Sequence, residues 1–194
     1  MTTDPNAPPD DPVDEPDEPA APDPSFERRT QIDLDALGDK ARDAAEFLAG
    51  LFERMDLQAR IVMVREEDAI ELDIEGPDAG RVIGKKGLTL DALQFLVNKV
   101  VNRFPEGRKH VVLDVEGYKG RRHDSLAAMA QRLADKASRT GKVISISPMP
   151  ARERRVIHLA LASNPGVTTR SEGEGSERRV RIVPQNRRRS GGKG

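Results

Sequence analysis

The chain contains no cysteine, no tryptophan, one tyrosine and five phenylalanines among its 194 residues. Without cysteine there are no disulfides, no cysteine nucleophile and no thiolate metal site, which argues weakly for a cytosolic protein. Only three histidines occur (His110, His123 and His158), so a metal cage built of histidines is not expected. The scarcity of aromatic residues argues against a binding surface made of stacked aromatic side chains.

Long hydrophobic runs are also missing. No apolar stretch approaches the roughly 20 residues of a membrane-spanning helix, and the N-terminus lacks the basic and apolar segments of a signal sequence. We therefore expect a cytoplasmic protein that is not inserted in a membrane. A length of 194 residues allows one ordinary domain, or two small domains with tails.

The net charge of −1 hides a strong separation of charge along the chain. Residues 1–27 hold nine acidic residues and no basic residue, whereas the chain from residue 118 onward holds 18 basic and 6 acidic residues. Such asymmetry is typical of a nucleic-acid-binding protein with an acidic tail, although a solvated charged surface explains any single run. Residues 1–32 are rich in proline and poor in apolar residues, which predicts a disordered tail.

The hydrophobic pattern of residues 33–117 predicts an α+β unit. The predicted elements are a helix from about residue 33 that Gly50 could interrupt, strands at 60–65 and 70–75 joined by a turn, a short helix at 78–83, a helix from 88, and a strand at 110–116. The helix from 88 has an apolar stripe of Leu90, Leu93, Val97, Val100, Val101 and Phe104. This order indicates a three-stranded sheet with helices on one side.

The segment from Arg81 to Gly87 reads R-V-I-G-K-K-G. Gly84 and Gly87 allow positive φ angles and close approach of a ligand, and the intervening lysines can meet a polyanion. The spacing does not match a nucleotide-binding Walker loop, and the dinucleotide pattern G-x-G-x-x-G is absent. G-x-x-G between two helices is instead the pattern with which a KH domain clamps the backbone of a single strand. The alternative is a glycine-capped turn between packed helices.

Residues 118–185 predict a second small α+β unit. The predicted elements are a long helix with cations such as Arg121, Arg132 and Arg139 opposite its apolar stripe, a strand at 143–147, a helix at 151–162, and a hairpin of 167–170 with 179–183. Residues 186–194 form a basic tail that we expect to be flexible.

The helix at 151–162 carries Arg154 and His158, which lie four residues apart and therefore share a face. A guanidinium offers a fork for phosphate and a plane for stacking, and a histidine one turn away can donate a hydrogen bond or stack. Arg152 and Arg155 add two cations to the same helix. The alternative is a surface arginine beside a partly buried structural histidine.

Three motifs occur in a fixed order: the loop from Gly84 to Gly87, the Arg154-x-x-x-His158 helix, and the turn S-E-G-E-G at 171–175 ahead of a basic strand. In this order the chain resembles the bacterial Jag family, also called SpoIIIJ-associated RNA-binding proteins, from about residue 45 to 185. The resemblance implies a type II KH domain at 33–117, followed by an RxxxH domain, named after its Arg-x-x-x-His spacing, at 118–185.

The resemblance also implies a function, which is the binding of single-stranded RNA, or single-stranded DNA, without catalysis, cofactor or metal. The residues expected to contact nucleic acid are Arg81, Ile83, Gly84, Lys85, Lys86 and Gly87 in the KH groove, and Arg152, Arg154, Arg155 and His158 in the RxxxH domain. Ile83 would pack either under a base or into the core. Expected partners are a small stand-alone KH protein or a second copy, with a link to the membrane-protein insertase or to cell-envelope growth. Many members carry a further N-terminal Jag domain, whose place is taken here by the acidic tail.

Two other functions remain open from the residues alone. Residues 35–117 hold 12 basic and 17 acidic residues, so the KH domain could mainly pair with protein, with RNA contact secondary. An enzyme such as a nuclease is the other alternative. Glu71, Asp73 and Glu75 lie on one strand face and could bind a cation, but a solvated strand face explains them better.

Overall fold

The computed structural model describes residues 37–185, which divide into two units, 37–119 and 120–185. The predicted acidic tail, the start of the first helix near residue 33 and the predicted basic tail lie outside the described residues. None of the helices within 37–185 combines the length and the apolar character needed to cross a membrane.

The first unit has the predicted order of elements. It contains α1 (Asp39–Arg54), β1 (Arg60–Glu66), β2 (Ala69–Glu75), α2 (Ala79–Ile83), a 3₁₀ turn (Lys85–Gly87), α3 (Leu88–Val101) and β3 (His110–Val115). β1 pairs with β2 as an antiparallel hairpin, and β3 runs parallel to β2, which gives the sheet order β1-β2-β3. α1 continues through Gly50 without a break.

The core of this unit lies on one face of the sheet. Inward positions alternate along β2 and β3, and they are Ile70, Leu72, Ile74, Val111, Leu113 and Val115, all almost fully buried. Apolar residues of α1 and α3 pack on this face, which confirms the predicted α+β fold with helices on one side. The acidic residues between the inward positions of β2 therefore lie on the opposite face of the sheet.

The edge of β3 is closed by side chains of α3 and of Asn102, the residue that follows this helix. Asn98 donates from Nδ2 to the Val111 carbonyl (2.7 Å) and accepts at Oδ1 from the Val111 N–H (2.9 Å). Asn102 makes the same pair of bonds with Lys109, at 2.8 and 3.0 Å. Gln94 Oε1 accepts from the Leu113 N–H (3.1 Å). These residues, spaced by four along the helix, act as a row of amides beside the strand and satisfy its outward backbone groups.

The predicted apolar stripe of α3 is wrong at two positions. Leu90, Leu93, Val97 and Val101 are buried, but Val100 is 40 % and Phe104 is 68 % exposed. α3 ends at Val101, so Phe104 lies beyond the helix, and Val100 faces away from the core. Leu88, Phe95, Leu96 and Val100 share the outward side of α3 by their helical spacing. We call these four residues, with the exposed Phe104 just beyond the helix, the α3 outer face.

The second unit also follows the predicted order. It contains most of α4 (Tyr118–Thr140), then β4 (Ile144–Ser145), α5 (Ala151–Leu161), β5 (Val167–Glu172), a 3₁₀ turn (Gly175–Glu177) and β6 (Arg179–Pro184). The sheet is antiparallel with the order β4-β6-β5, so β5 is an edge strand. β4 is shorter than the predicted strand, because the regular pairing with β6 covers only Ile144 and Ser145. Beyond it, the N–H groups of Ile146 and Met149 still donate to the carbonyls of Val180 (2.9 Å) and Arg178 (3.3 Å).

Helices α4 and α5 share an apolar core with this sheet. α4 contributes mainly small residues to it (Ala130, Ala134 and Ala137), which allow close approach. Ile157 and Leu161 of α5 are buried against Val180 and Ile182 of β6, among others. Arg154 and His158 lie on the side of α5 that faces β5, because their side chains contact Ser171 and Thr169.

Candidate nucleic-acid interface

The backbone of the glycine loop at Gly84 can be formed only by glycine. Gly84 has φ 66° and ψ −177°, a region from which residues with a Cβ are essentially excluded. A Cβ at this position would also collide with the Thr89 side chain. Gly87 has φ 75° and is buried at the start of α3. The two glycines therefore define a tight turn, as the sequence predicted, and hold the residues between them in place.

The two lysines of the loop are available to a ligand. Lys85 is exposed and Lys86 is half-buried. Among residues 37–185, neither ammonium group has a hydrogen-bond or ion-pair partner. Lys86 adopts φ 55° and ψ 30°, a left-handed conformation that costs a non-glycine residue about 1 kcal/mol. The loop thus presents two adjacent positive charges that no described carboxylate neutralises.

Arg81 and Ile83 contribute less clearly to this surface. Arg81 is exposed, but its Nη1 lies 3.3 Å from Asp78 Oδ1 and 3.4 Å from the Asp56 carbonyl. The pKa of Asp78 is below its usual value, first because its carboxylate accepts from the Gln58 N–H (2.7 Å) and then because of Arg81. Ile83 is half-buried and packs against the core of the first unit, which favours the core alternative for this residue.

Arg154 and His158 are brought together against two hydroxyl groups of β5. Arg154 Nη1 donates to Ser171 Oγ (3.1 Å), and its Nε donates to the Met149 carbonyl (3.3 Å). His158 Nδ1 lies 2.6 Å from Thr169 Oγ1, and its Nε2 lies 2.9 Å from Ser171 Oγ. We call these four residues, Arg154, His158, Thr169 and Ser171, the α5–β5 cluster.

The imidazole of His158 is therefore already hydrogen-bonded on both nitrogens. Burial, followed by the positive charge of Arg154, lowers the pKa of His158 below its usual value of 6.5, so the ring is mostly neutral at pH 7. A nucleic acid would meet the ring face of His158 or its hydroxyl partners before it met a free ring nitrogen. The hydrogen bonds of His158 are those expected of a partly buried structural histidine, which was the alternative for this residue. The ring nevertheless lies beside the cations of α5.

The other two arginines of α5, Arg152 and Arg155, are exposed. Arg155 has no ion-pair partner within residues 37–185. Both residues lie within one helical turn of Arg154, so α5 carries two exposed cations and the half-buried Arg154. Its one carboxylate, Glu153, points away from this surface into the core.

Glu153 is a positioning residue that was not predicted from the sequence. Its side chain is 2 % exposed and pairs with Arg122 of α4 through Nε (2.9 Å) and Nη2 (3.3 Å). The pair fixes α5 against α4 and thereby positions the α5–β5 cluster. The position of Glu153, four residues before the inward-facing Ile157, is the sequence signal that could have revealed it.

Thr169 and Ser171 were not predicted either, although strand alternation contains the signal. Both residues lie on the face of β5 that turns toward α5, with Arg170 between them on the other face. A polar pair on the inner face of a strand needs hydrogen-bond partners, and the neighbouring Arg-x-x-x-His helix supplies them.

The strand acids that could have marked an enzyme are occupied within the protein. Glu71 pairs with Arg65, and Glu75 pairs with Arg60. Asp73 Oδ1 accepts from two backbone N–H groups, and burial raises the pKa of its carboxyl. No group of three or more histidine or carboxylate side chains within 37–185 is arranged to hold a metal ion.

Comparison with known families matches both units. Residues 42–115 match the family described as KhpA/KhpB, KH domain. Residues 124–184 match the R-3-H domain family, whose name denotes an arginine and a histidine with three residues between them and which is the RxxxH domain described above. The predicted succession of a KH domain and an RxxxH domain is thereby confirmed.

Several curated relatives carry the name RNA-binding protein KhpB. The relative from Clostridium symbiosum is 41 % identical over 150 residues, which cover 76 % of this chain and 66 % of the relative. The relative from Bacillus subtilis is 34 % identical over 146 residues, covering 74 % of this chain and 70 % of the relative. A third, from Lactiplantibacillus plantarum, is 40 % identical over 112 residues, which are 35 % of its length. The chain thus spans about two thirds of the first two relatives and about a third of the last, and it belongs to the KhpB family, the Jag family that its motifs resemble.

Proposed function

We propose that this protein binds single-stranded RNA through the sugar-phosphate backbone and catalyses no reaction. The observation that carries the proposal is the state of Lys85 and Lys86. Their charges lie on a loop whose shape depends on Gly84, and no carboxylate of residues 37–185 neutralises them. The names of the relatives and the RxxxH domain match support the same function.

Backbone contacts predict how the protein selects its ligand. Phosphate oxygens carry no sequence information, and aromatic residues for base stacking are scarce in this chain. We therefore expect weak sequence preference and a strong dependence of affinity on salt. The exposed cations of α5, with Arg154, offer a second contact surface in the RxxxH unit, so that a long strand can be held at two places.

The loop lysines provide the direct test. Replacing Lys85 and Lys86 by alanine removes two charges without touching either glycine. For the full chain and a single-stranded RNA followed by fluorescence anisotropy, we expect at least a roughly tenfold loss of affinity. The slope of log K against log salt concentration should become shallower by about 1.4.

A matched control is Arg108→Ala. Arg108 is exposed and has no ion-pair partner among residues 37–185. It lies just before His110, which pairs with Ala69 at the end of the sheet opposite the segment that leads to the loop. We expect its loss to change affinity by less than about threefold. If the lysine variant and this control bind RNA equally well, the KH loop does not contact RNA.

A second candidate function, pairing with another protein, is favoured by the α3 outer face. Its five apolar residues are at least 40 % exposed, and Lys99 and Arg103 lie over the Phe95 and Phe104 rings. Neighbouring large apolar residues that are exposed to solvent often mark a contact with another protein. Light scattering of the unchanged chain should then show a dimer, or a complex with a small KH protein. The Phe95→Asp variant should be monomeric and should form no such complex. If the unchanged chain is monomeric and binds no small KH protein, but still binds RNA, this second candidate function is wrong.

In the cell we propose a cytoplasmic, post-transcriptional role linked to cell-envelope growth. This role includes pairing with a small KH protein and contact with the membrane-protein insertase. Crosslinking RNA in living cells and sequencing what is recovered with the protein would identify the transcripts. Recovery of no RNA above the level of the Lys85→Ala/Lys86→Ala variant would argue against the role.

A further inference from the structure

The α5–β5 cluster contains a hydroxyl group whose hydrogen-bonding capacity is not fully fixed. A serine hydroxyl accepts two hydrogen bonds and donates one. Ser171 Oγ accepts one bond from Arg154 Nη1, because a guanidinium nitrogen can only donate, and its second partner is His158 Nε2 at 2.9 Å. The direction of that second bond depends on which nitrogen of the neutral imidazole carries the proton.

The two tautomers of His158 leave different protons free. With the proton on Nδ1, the ring donates to Thr169 Oγ1 and Ser171 donates to Nε2, so the Ser171 proton is used inside the protein. With the proton on Nε2, the ring donates to Ser171 and accepts from Thr169, which frees the Ser171 proton for an external acceptor. The tautomer of His158 thus decides whether Ser171 can donate to a ligand.

Arg154 is placed to bring such an acceptor to Ser171. Its Nε and Nη1 are used by Met149 and Ser171, while its Nη2 group has no partner within residues 37–185. An oxyanion held by Nη2 would lie close to Ser171 Oγ, because Nη1 of the same planar guanidinium is already in contact with this hydroxyl. Ser171 is half-buried on the edge strand β5, where a ligand can reach it.

We propose that Arg154 and Ser171 together bind a non-bridging oxygen of a phosphodiester, and that His158 is a positioning residue that turns the Ser171 proton toward it. Thr169 completes the arrangement, because it accepts from His158 Nδ1 in the free protein and donates to it when the phosphate is bound. The inference rests on the proposed RNA-binding function and assigns Ser171, rather than the imidazole, as the second contact of this site.

The test uses the full chain and a ten-residue oligouridylate. Ser171→Ala should weaken binding about tenfold and leave the salt slope unchanged, because a hydroxyl releases no counterion. Arg154→Ala should weaken binding and reduce the slope by about 0.7. Ser171→Thr, which keeps a hydroxyl on a strand that accepts branched residues, should restore most of the affinity and so separate loss of the hydroxyl from loss of folding.

A spectroscopic measurement tests the positioning role directly. The nitrogen-15 shifts of His158 report its tautomer, and addition of the oligouridylate should move the population toward the Nε2–H form in the unchanged chain but not in Ser171→Ala. An Arg154→Ala variant that binds normally would contradict RNA binding at this site. Normal binding by Ser171→Ala with weak binding by Arg154→Ala, or a tautomer that ignores the RNA, would overturn this inference alone.

Discussion

Lys86 combines a conformational cost with a charge that no carboxylate of residues 37–185 neutralises. Its left-handed backbone is one that glycine adopts freely, so Lys86→Gly removes both the strain and the ammonium group. We expect the free energy of unfolding to rise by up to about 1 kcal/mol, while RNA affinity falls. Urea unfolding and anisotropy measure the two quantities.

The matched variant for this prediction is Lys86→Ala, which removes the charge but keeps a Cβ at the strained position. Both variants should lose similar affinity, and only the glycine variant should gain stability. If the alanine variant proves to be the more stable of the two, the backbone at residue 86 is not strained, and the lysine is not retained at a cost to folding.

His158 makes stability depend on pH. Its pKa in the folded protein is lower than in the unfolded chain, where it is about 6.5, so the unfolded state binds the proton more readily. The contribution of His158 to the free energy of unfolding is therefore complete above about pH 6.5 and is lost as the pH falls below that value. The midpoint of urea unfolding should drop between pH 7.5 and pH 5, and the drop should be smaller in His158→Gln. His123→Gln, at an exposed position, should behave like the unchanged chain.

At the scale of the elements, α5 is joined to α4 by a buried ion pair. Glu153 is buried and paired with Arg122, so Glu153→Ala would remove the α5 carboxylate from a mostly buried ion pair. Breaking a buried pair in this way costs about 3–5 kcal/mol, with the lower end expected here because Arg122 remains 18 % exposed. Thermal or urea unfolding should show this loss, accompanied by weaker RNA binding in the second unit.

The control for the buried pair is Glu177→Ala. Glu177 pairs with Arg179 at 3.5 Å, but its side chain is 74 % exposed. An exposed ion pair contributes little to stability, so the free energy of unfolding of this variant should lie within about 0.5 kcal/mol of that of the unchanged chain. Equal stability of the two variants would mean that the Glu153 contact does not hold α5.

At the scale of the whole molecule, two linked contact surfaces should make affinity depend strongly on RNA length. A second contact within one complex benefits from a high effective concentration, typically worth about 100-fold or more. A 30-nucleotide single-stranded RNA should therefore bind far more tightly than a tetranucleotide. In the Lys85→Ala/Lys86→Ala variant the difference between the two lengths should shrink. If unchanged chain and variant show the same length dependence, the two surfaces do not act on one strand.

The parts of this molecule that could be predicted from sequence are those encoded by local patterns. Alternation along β2, the Gly84–Gly87 spacing and the four-residue spacing of Arg154 and His158 each depend on neighbours in the chain, and together they predict the order of elements and the candidate surfaces. The environment of Glu153 and the role of Ser171 depend on partners from other elements. A local pattern shows that such a residue is polar, but not what it contacts.

The stripe of α3 shows the same limit at the scale of one helix. Its period placed Val100 beside Val97 and Val101, yet the width of the buried face is set by what packs against it, and Val100 falls outside that face. The exposed apolar residues of α3 are consequently visible only once the core is known.

The row of amides on α3 has a consequence for how the first unit opens. Because Asn98, Asn102 and Gln94 hold the N–H groups of Val111, Lys109 and Leu113, these three amide protons cannot exchange with solvent unless α3 moves away from the strand. An edge strand that would ordinarily fray by itself is tied to the helix that follows the glycine loop. Deuterium uptake at β3 should thus report the detachment of α3, and slow uptake there would show that the strand and the helix open as one cooperative piece.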